Sequence, residues 1–360
     1  MKNAAGFTTI SLSREGNPGK KIKKSLTYYD QAKTITKLKK DKPNLCNIYS
    51  QVLRDAAIRV DRAFKGFFRR LKAKNGKAGY PRFKGKGRYD SFTYPQFGFS
   101  ITDNGLKLSK IGTVKIKLHR PIEGKIKTCT IRKTATGKWY ACFSVECELS
   151  PLPKNEKAVG IDVGLEHFAT LSNGEKIENP HFFKTEQKAL AKAQRKLSRL
   201  KKGSTEWQKA KKVVARIHEK IANRRHNFVH QVARKIVNNF GVICIEGLDI
   251  KDMQKDNFRR INRSIADAAW GQFARVLASK AAEAGRKFIA VDPSYTSQRC
   301  SQCGVIVKKD LKTRWHDCPV CGCHLDRDLN AALNILALGL QGLGIQSLEV
   351  PQGNSHHNIL

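Results

Sequence analysis

Three carboxylates occupy positions in the sequence where apolar residues surround them. Asp162 lies within the run Val-Gly-Ile-Asp-Val-Gly, Glu246 ends the run Val-Ile-Cys-Ile-Glu, and Asp328 opens a segment of small and apolar residues. An ionised carboxylate on a buried strand is costly unless a cation compensates its charge. Because Mg²⁺ and Mn²⁺ prefer oxygen ligands, three converging carboxylates would suit either ion. Two such ions about 3.5–4 Å apart activate a water molecule and stabilise the leaving oxygen when a phosphodiester is cleaved.

Each carboxylate taken alone also has an ordinary structural interpretation. Asp162 fits a turn at the end of a strand, Glu246 fits a surface carboxylate, and Asp328 fits a favourable charge at a helix N-terminus. Asp326 competes with Asp328 for the third position. Together, the order strand-acid, strand-acid, helix-acid in a strongly basic protein favours a metal-dependent nuclease.

Four cysteines form a second group with the spacing C-x2-C-x14-C-x2-C. They are Cys300, Cys303, Cys318 and Cys321. Four thiolates in this pattern are typical of a tetrahedral zinc site, which is closed and therefore structural. Cys323 and His324 follow directly and could serve only as substitute ligands. A redox dithiol pair, or a zinc loop that merely packs, is the alternative interpretation.

The charge of the chain indicates a polyanionic partner. Sixty-nine Lys and Arg residues face 30 Asp and Glu residues, a net charge of +39. The excess is +24 over residues 1–150, +15 over 151–300 and zero over 301–360. Nucleic acid and anionic membranes are the usual partners of such a surface. Because no apolar run reaches the ~18 residues of a membrane span, and the first residues lack a signal-peptide core, we expect a soluble, intracellular nucleic-acid-binding protein without a membrane partner.

Two basic segments are candidates for the nucleic-acid contact. Residues 50–72 repeat apolar side chains every three or four positions with arginines between them, which predicts an amphipathic helix with a cationic face. Residues 74–99 alternate aromatic and basic side chains among glycines, so that basic groups could hold phosphates while rings stack on bases. An ordinary solvated helix face and rings packed on a neighbouring sheet are the alternatives. The candidate residues are Arg54, Arg59, Arg62, Arg69, Arg70, Tyr80, Arg82, Phe83, Lys84, Lys86 and Arg88.

The remaining pattern predicts two kinds of domain. Apolar and polar residues alternate over 105–149, including the run 113–120, which predicts an antiparallel sheet or small barrel, and Pro151 and Pro153 mark a linker. Beyond the linker, strands and helices alternate, as in an α/β domain. We expect strands over 158–164, 241–248 and 287–292, a hairpin at Asn173-Gly174, and helices over 184–239 with a break near Gly203, over 264–284 and over 326–338.

The chain resembles the TnpB family, transposon-encoded relatives of the type V CRISPR effectors. The resemblance is carried by GIDVGLEHFATLSNG, ICIEGLDIKDM, AAWGQFARVLASKAAEAGRKFIAVDPSYTSQRCSQCG and CPVCGCHLDRDLNAALNIL, and upstream by QVLRDAAIRVDRAFKGFFRRLK and GYPRFKGKGRYDSFTYP. It covers roughly residues 50–340. Residues 1–45 depart from the family, because they do not show its opening β-strand.

The resemblance implies an α/β + β fold: an RNase H-like (RuvC) nuclease domain with an inserted zinc ribbon, preceded by a wedge-like β-barrel and a helical recognition segment. The implied boundaries are a basic N-terminal segment (1–45), the recognition segment (46–85), the wedge barrel (86–152), the first part of the nuclease domain (153–292), the zinc ribbon (293–325), the last nuclease helix (326–340) and a disordered tail (341–360).

The resemblance also implies an activity, RNA-guided cleavage of DNA beside a short adjacent motif. Asp162, Glu246 and Asp328 match the three catalytic acids, which would hold Mg²⁺ or Mn²⁺, and the cysteine quartet matches the zinc ligands. The implied partners are a guide RNA from the transposon end and double-stranded target DNA, bound by a monomer in the cytoplasm near the nucleoid. Two alternatives stay open: a guide-bound regulator of transposition or transcription that does not cut, and an unguided, structure-selective nuclease.

Overall fold

The fold was analysed on a computed structural model. It describes residues 28–73, 78–82, 84–85, 88–255, 257–310 and 313–344. Phe83, Lys86, the N-terminal residues before Tyr28 and most of the predicted tail therefore lie outside the described residues. Contacts divide the chain into two units, Met1–Glu148 and Leu149–Leu360.

The described part of the first unit, from Tyr28 onward, opens with two helices. Helix α1 (Tyr28–Asp41) is followed by a 3₁₀ turn (Pro43–Asn47) and by helix α2 (Ser50–Lys72), which confirms the amphipathic helix predicted over 50–72. The apolar stripe of α2 is buried, with Leu53 and Ala57 fully inaccessible and packed against Ile35 of α1. Spacing of three and four places these side chains on one face.

Six strands follow α2 and form two antiparallel sheets of three strands each. Their orders are β1-β5-β6 and β2-β3-β4. The strands are β1 (Ser91–Tyr94), β2 (Phe99–Thr102), β3 (Gly105–Leu108), β4 (Gly112–Val114), β5 (Lys125–Lys133) and β6 (Trp139–Glu146). Tyr94, Leu106 and Cys129 form a core with Val52 of α2. The strand predicted over 113–120 is mostly wrong, because β4 ends at Val114. Beyond it, Ile116 still packs against this core, whereas Leu118 is half-exposed.

The second unit contains a mixed five-stranded sheet of order β11-β10-β7-β8-β9. Its strands are β7 (Ala158–Val163), β8 (His167–Leu171), β9 (Lys176–Glu178), β10 (Val242–Glu246) and β11 (Lys287–Val291). β11, β10 and β7 run parallel, whereas β8 and β9 are antiparallel additions. The predicted hairpin is confirmed: Gly174 adopts φ +87°, which glycine accepts without strain.

Helices cover the sheet of the second unit. They are α3 (Phe182–Arg199), α4 (Thr205–Asn239), α5 (Ile250–Met253), α6 (Arg259–Ala268), α7 (Trp270–Glu283) and α8 (Arg327–Gln341). The predicted break near Gly203 is confirmed, and the Ser204 hydroxyl caps α4 by accepting the amide hydrogen of Trp207 at 3.1 Å. The single helix predicted over 264–284 is instead two helices, because Ala269 turns the chain with φ 58°.

Helix α8 packs unusually closely on the sheet. A Cβ atom on Gly160 of β7 would lie 2.0 Å from the carbonyl oxygen of Ala332, and one on Gly339 would lie 2.2 Å from Sγ of Cys244 on β10. Glycines on both partners therefore allow the backbone of α8 to approach β7 and β10. This packing fixes the N-terminus of α8 relative to the strands that carry the candidate acids.

Two smaller observations complete the fold. The six cysteines outside the quartet lie mostly in apolar stretches, which predicts buried thiols. Cys129 and Cys244 are buried and Cys323 is half-buried, but the prediction is wrong for Cys46, Cys142 and Cys147, which are exposed. Within the described part of the chain, no helix combines the length and apolar composition that a bilayer crossing requires.

Candidate active site and cysteine cluster

The parallel strands bring the first two candidate acids together. Asp162 lies near the end of β7, and Glu246 is the last residue of the adjacent β10. Ile161 pairs with Ile245 in the register, so the next residues along the two strands are Asp162 and Glu246. Side chains at matching positions of neighbouring strands point to the same face of the sheet. The third candidate, Asp328, lies in the first turn of α8, which packs on β7.

The electrostatics of the site show that Glu246 and Asp328 both act on Asp162. Burial raises the pKa of Asp162 well above its ordinary value, and the negative charges of Glu246 and Asp328 raise it further, while Arg327 opposes them. Burial also raises the pKa of Glu246, and a hydrogen bond from the Thr296 hydroxyl acts in the opposite direction. Accumulated negative charge in a half-buried site favours a bound cation.

The donor set fits a hard divalent cation, because it offers carboxylate oxygens from three separate elements. The three acids are nevertheless less tightly gathered than the cysteines. Among the residues that the structure describes, only the quartet brings three or more ligating side chains within 4.8 Å of one another.

The structure gives different local surroundings to the two aspartates that competed for the third position. Asp326 caps α8, accepting the amide hydrogens of Asp328 at 2.9 Å and Leu329 at 3.2 Å. It also forms an ion pair with Lys176 at 2.8 Å, and its pKa is lowered, since Lys176 and these amides outweigh burial. Asp326 is therefore occupied by structural contacts, although its negative charge also raises the pKa of Asp162. The charge of Asp328 raises that pKa more strongly, and Asp328 lies 3.4 Å from Arg327.

Three polar residues near the acids were not predicted from the sequence. Thr296 donates its hydroxyl hydrogen to Glu246, and Asn330 and Asn334 bond the backbone of the segment that leads to the first cysteine. All three are at least 95 % buried. The asparagines lie four positions apart on the apolar face of α8. Two polar residues at this spacing on an otherwise apolar helix face are visible in the sequence and indicate buried hydrogen bonds.

The cysteine quartet has the dimensions of a tetrahedral metal site. Four sulfurs at 2.3 Å from a tetrahedral zinc ion lie about 3.8 Å apart. Here Sγ of Cys300 lies 3.6 Å from Sγ of Cys321, and Sγ of Cys303 lies 3.5 Å from Sγ of Cys318. The geometry and the donor chemistry therefore both suit zinc.

Two matching loops hold the cysteines. In the first, the amide of Cys300 donates to the carbonyl of Val305 at 2.8 Å, and Gly304 donates to the carbonyl of Cys300 at 2.9 Å. The second loop repeats this pattern, from Cys318 to the carbonyl of Cys323 at 2.9 Å and from Gly322 to the carbonyl of Cys318 at 3.0 Å. Both glycines have positive φ, 79° and 71°. The short strands β12 (Trp315–Asp317) and β13 (His324–Asp326) pair within the same insert.

The two residues that follow the quartet have other contacts. The ring of His324 stacks on Trp315 at a centroid distance of 4.7 Å, and Nδ1 of His324 contacts a carboxylate oxygen of Asp317. Cys323 is half-buried and supplies the carbonyl oxygen that closes the second loop.

The candidate nucleic-acid-binding residues separate into exposed and engaged groups. Arg54, Arg62, Arg69, Arg70, Arg82, Lys84 and Arg88 are exposed. Tyr80 is half-exposed, and its ring packs edge-on against Phe64 and Phe67.

Arg59 differs from the other candidates, because its guanidinium is occupied within the first unit. It bonds Asp55 at 2.7 Å, the backbone carbonyl of Ser91 at 3.2 Å and the hydroxyl of Thr93 at 2.8 Å. The sequence predicted a free phosphate-binding group, but Arg59 joins α2 to β1, so we leave it out of the candidate surface.

Comparison with known proteins gives matches along most of the chain. Residues 141–257 match the family OrfB_IS605, described as "Probable transposase", and residues 270–335 match the "Cas12f1-like, TNB domain" family. The first match contains Asp162 and Glu246, and the second contains Asp328 and all four cysteines.

Two curated relatives are identical to the chain at more than a third of the aligned positions. It is 37 % identical over 323 residues to "Putative RNA-guided DNA endonuclease InsQ" of Escherichia coli (strain K12), covering 85 % of this chain and 77 % of that protein. It is 35 % identical over 323 residues to a "Putative RNA-guided DNA endonuclease" of Streptomyces pristinaespiralis, covering 88 % and 78 %. Among solved structures, the cryo-EM structure of the Cas12f1-sgRNA-target DNA complex aligns with a TM-score of 0.57 at 14 % identity, over 93 % of this chain and 80 % of that one, which shows a shared fold.

Proposed function

The chain belongs to the TnpB family of RNA-guided DNA endonucleases, and we propose that Asp162, Glu246 and Asp328 form the centre at which it cuts target DNA. The observation that carries this proposal is the convergence of Glu246 from β10 and Asp328 from α8 on Asp162 of β7, in a protein of net charge +39. We place these acids in a RuvC-like nuclease domain formed by the second unit, with the cysteine loops as a zinc ribbon inserted before α8.

The three acids would hold Mg²⁺ or Mn²⁺, which supplies activation of water and stabilisation of the leaving oxygen in phosphodiester hydrolysis. Asp162 and Glu246 are rigidly placed, because they lie on β7 and β10, and each of these strands pairs with a neighbouring strand on both sides. Asp328 is presented by a helix whose packing on Gly160 leaves no room for a side chain between the two backbones. Asp326 fixes the first turn of that helix, because its side chain accepts hydrogen bonds from two backbone amides of that turn.

The quartet would hold zinc in a structural role, since four thiolates leave no open coordination position. Among the described residues of the insert, the buried side chains are Thr296, Cys300, His316 and Cys318, and none of them is a large apolar group. Zinc binding contributes roughly 10–16 kcal/mol in peptide models, which is enough to keep so small an insert folded.

The partners follow from charge and from the relatives. We propose that a guide RNA and the target DNA bind along the basic surfaces, with base pairing selecting the sequence while the protein contacts backbone and A-form shape. The exposed arginines of α2, Arg54, Arg62, Arg69 and Arg70, are spaced along one helix and suit phosphates. We further propose that a short motif beside the target permits cleavage, that the sheets of the first unit form a wedge-like barrel, and that the active protein is a monomer.

The test is co-purification of the chain from cells that also express RNA from the transposon end. Retained RNA is sequenced, and the particle is assayed with Mg²⁺ on DNA that matches the guide beside a randomised adjacent sequence. We expect guide-dependent cutting that Asp162→Ala abolishes, and the cut molecules report the adjacent motif. Retained RNA without cutting would favour the regulator, and cutting that needs no RNA would favour an unguided nuclease.

A further inference from the structure

A buried hydroxyl outside the acidic trio contacts one of its members. Oγ1 of Thr296 lies 2.5 Å from Oε1 of Glu246, and Thr296 is buried, with 4 % of the residue exposed. The carbonyl oxygen of Pro293 lies farther from the same hydroxyl, at 3.1 Å. A hydroxyl has one hydrogen to donate, and an ionised carboxylate is the stronger acceptor. The hydrogen therefore goes to Glu246.

The position of Thr296 is in turn fixed by α8. Asn334 donates to the carbonyl oxygen of Thr296 at 2.8 Å and to that of Arg299 at 2.6 Å. One turn earlier, Asn330 donates to the same Arg299 carbonyl at 2.8 Å and accepts the amide hydrogen of Ser301 at 2.9 Å. Both asparagines are buried, so breaking these bonds would leave unpaired polar groups in the interior.

These bonds connect the zinc loop to the acidic trio. Arg299 and Ser301 flank Cys300, the first residue of the quartet, and Thr296 lies four positions before it. A continuous set of hydrogen bonds thus runs from the backbone beside Cys300, through the asparagines of α8, to the Thr296 hydroxyl and Glu246. Partners of metal-binding carboxylates orient the ligand, and their loss typically lowers metal affinity.

We infer that Thr296 is a positioning residue, which holds Glu246 in the orientation that binds the catalytic cation, and that Asn334 holds Thr296 in place from α8. The inference rests on the proposed function only in taking Glu246 as a ligand of that cation. It assigns Thr296 no contact with DNA.

The experiment measures Mn²⁺ binding and guided cleavage separately. The full-length, zinc-loaded chain without RNA is titrated with Mn²⁺, and free Mn²⁺ is followed by electron paramagnetic resonance, with Asp162→Asn as the subtraction for ions bound elsewhere. Thr296→Val removes the hydroxyl and keeps the branched shape, Thr296→Ser keeps the hydroxyl, and Ser294→Ala is the matched control, because the Ser294 hydroxyl bonds Asp292 at 2.7 Å instead. Zinc content and melting temperature are measured for each variant.

We expect Thr296→Val to weaken Mn²⁺ binding by about tenfold or more, the range typical of an outer partner of a metal ligand. Its guided cleavage should fall in parallel and recover partly at high Mn²⁺, while Thr296→Ser and Ser294→Ala stay close to the wild type. If Thr296→Val loses zinc or does not fold, Mn²⁺ binding is compared between Thr296→Ala, which lacks the hydroxyl, and Thr296→Ser, which keeps it.

Wild-type Mn²⁺ affinity in the hydroxyl-free variants would overturn the inference, as would an equal loss in Thr296→Ser. A wild-type chain that binds Mn²⁺ but does not cut guided DNA would instead count against the proposed function, and the Mn²⁺ series would still decide the role of Thr296.

Discussion

Replacement of Gly160 by alanine tests how the acidic trio is positioned. A Cβ atom at this residue would lie 2.0 Å from the carbonyl oxygen of Ala332 and 2.7 Å from the amide nitrogen of Leu336. Both atoms belong to the backbone of α8, so no rotation of a side chain relieves the overlap. The helix that carries Asp328 must move, or β7 with Asp162 must move.

The size of the effect follows from these distances. Ordinary contact begins at 3.4 Å, so the two backbones must separate by about 1.4 Å. Overpacking of a filled interior costs about 1–3 kcal/mol, and each kcal/mol lowers the melting temperature by about 2–4 °C for a unit of 150–250 residues. A displacement of about 1 Å at a catalytic group lowers the rate about 100-fold. We therefore expect the loss of cleavage to exceed what the loss of stability explains.

The assay compares melting temperature and the single-turnover rate of guided DNA cleavage at a temperature where both proteins are folded. Gly271→Ala in α7 is the matched control, because its Cβ would lie 3.6 Å from Cγ1 of Ile250 in α5, an ordinary van der Waals contact. That variant should cut like the wild type. Wild-type cleavage by a folded Gly160→Ala variant would refute the positioning argument.

Three further predictions concern charge, capping and zinc. Because the pKa of Asp162 is raised on folding, its contribution to stability is present below the unfolded pKa and is lost as pH rises through the folded pKa. Without metal, the free energy of unfolding in urea should therefore fall as pH rises over this window. The fall should be smaller in Asp162→Asn, and added Mg²⁺ should restore the stability of the wild type. An identical pH slope in Asp162→Asn would contradict this. Asp326→Ala removes an N-cap, so it should lose about 0.5–2 kcal/mol of stability and keep measurable cleavage. Asp328→Asn should instead keep its stability and lose cleavage. The reverse pattern in melting and cleavage assays would exchange the roles of the two aspartates. Chelation of zinc should make the insert around the quartet sensitive to limited proteolysis and should lower the rate of DNA cleavage, and added zinc should reverse both effects. Unchanged proteolysis after verified loss of zinc would exclude a structural role.

Local sequence patterns were sufficient for many elements and for the candidate acids. The helix over 50–72, the hairpin at Asn173-Gly174 and the strand ending at Glu246 follow from side-chain periodicity and turn chemistry, which act over a few residues. A carboxylate within an apolar run is visible for the same reason. The cysteine spacing likewise needs no knowledge of the rest of the fold.

Features that depend on distant partners were not predictable in this way. The bond from Thr296 to Glu246 joins residues 50 positions apart. Arg59 pairs with Asp55 on its own helix, but its contacts with Ser91 and Thr93 come from β1, more than 30 positions away. The break at Ala269 places a non-glycine residue at φ 58°, against its intrinsic preference. The run over 113–120 alternates like a strand, yet a strand forms only where a neighbouring backbone pairs with it.

The most direct test of the central claim is guided cleavage by the wild type and by the three conservative variants Asp162→Asn, Glu246→Gln and Asp328→Asn. Each is purified with its guide RNA, and RNA retention, target DNA binding and Mg²⁺-dependent cutting are measured on the same preparation. We predict that all three variants retain RNA and bind target DNA but do not cut. Guided cutting at the wild-type rate by any one of them would contradict the assignment of these carboxylates as the catalytic centre.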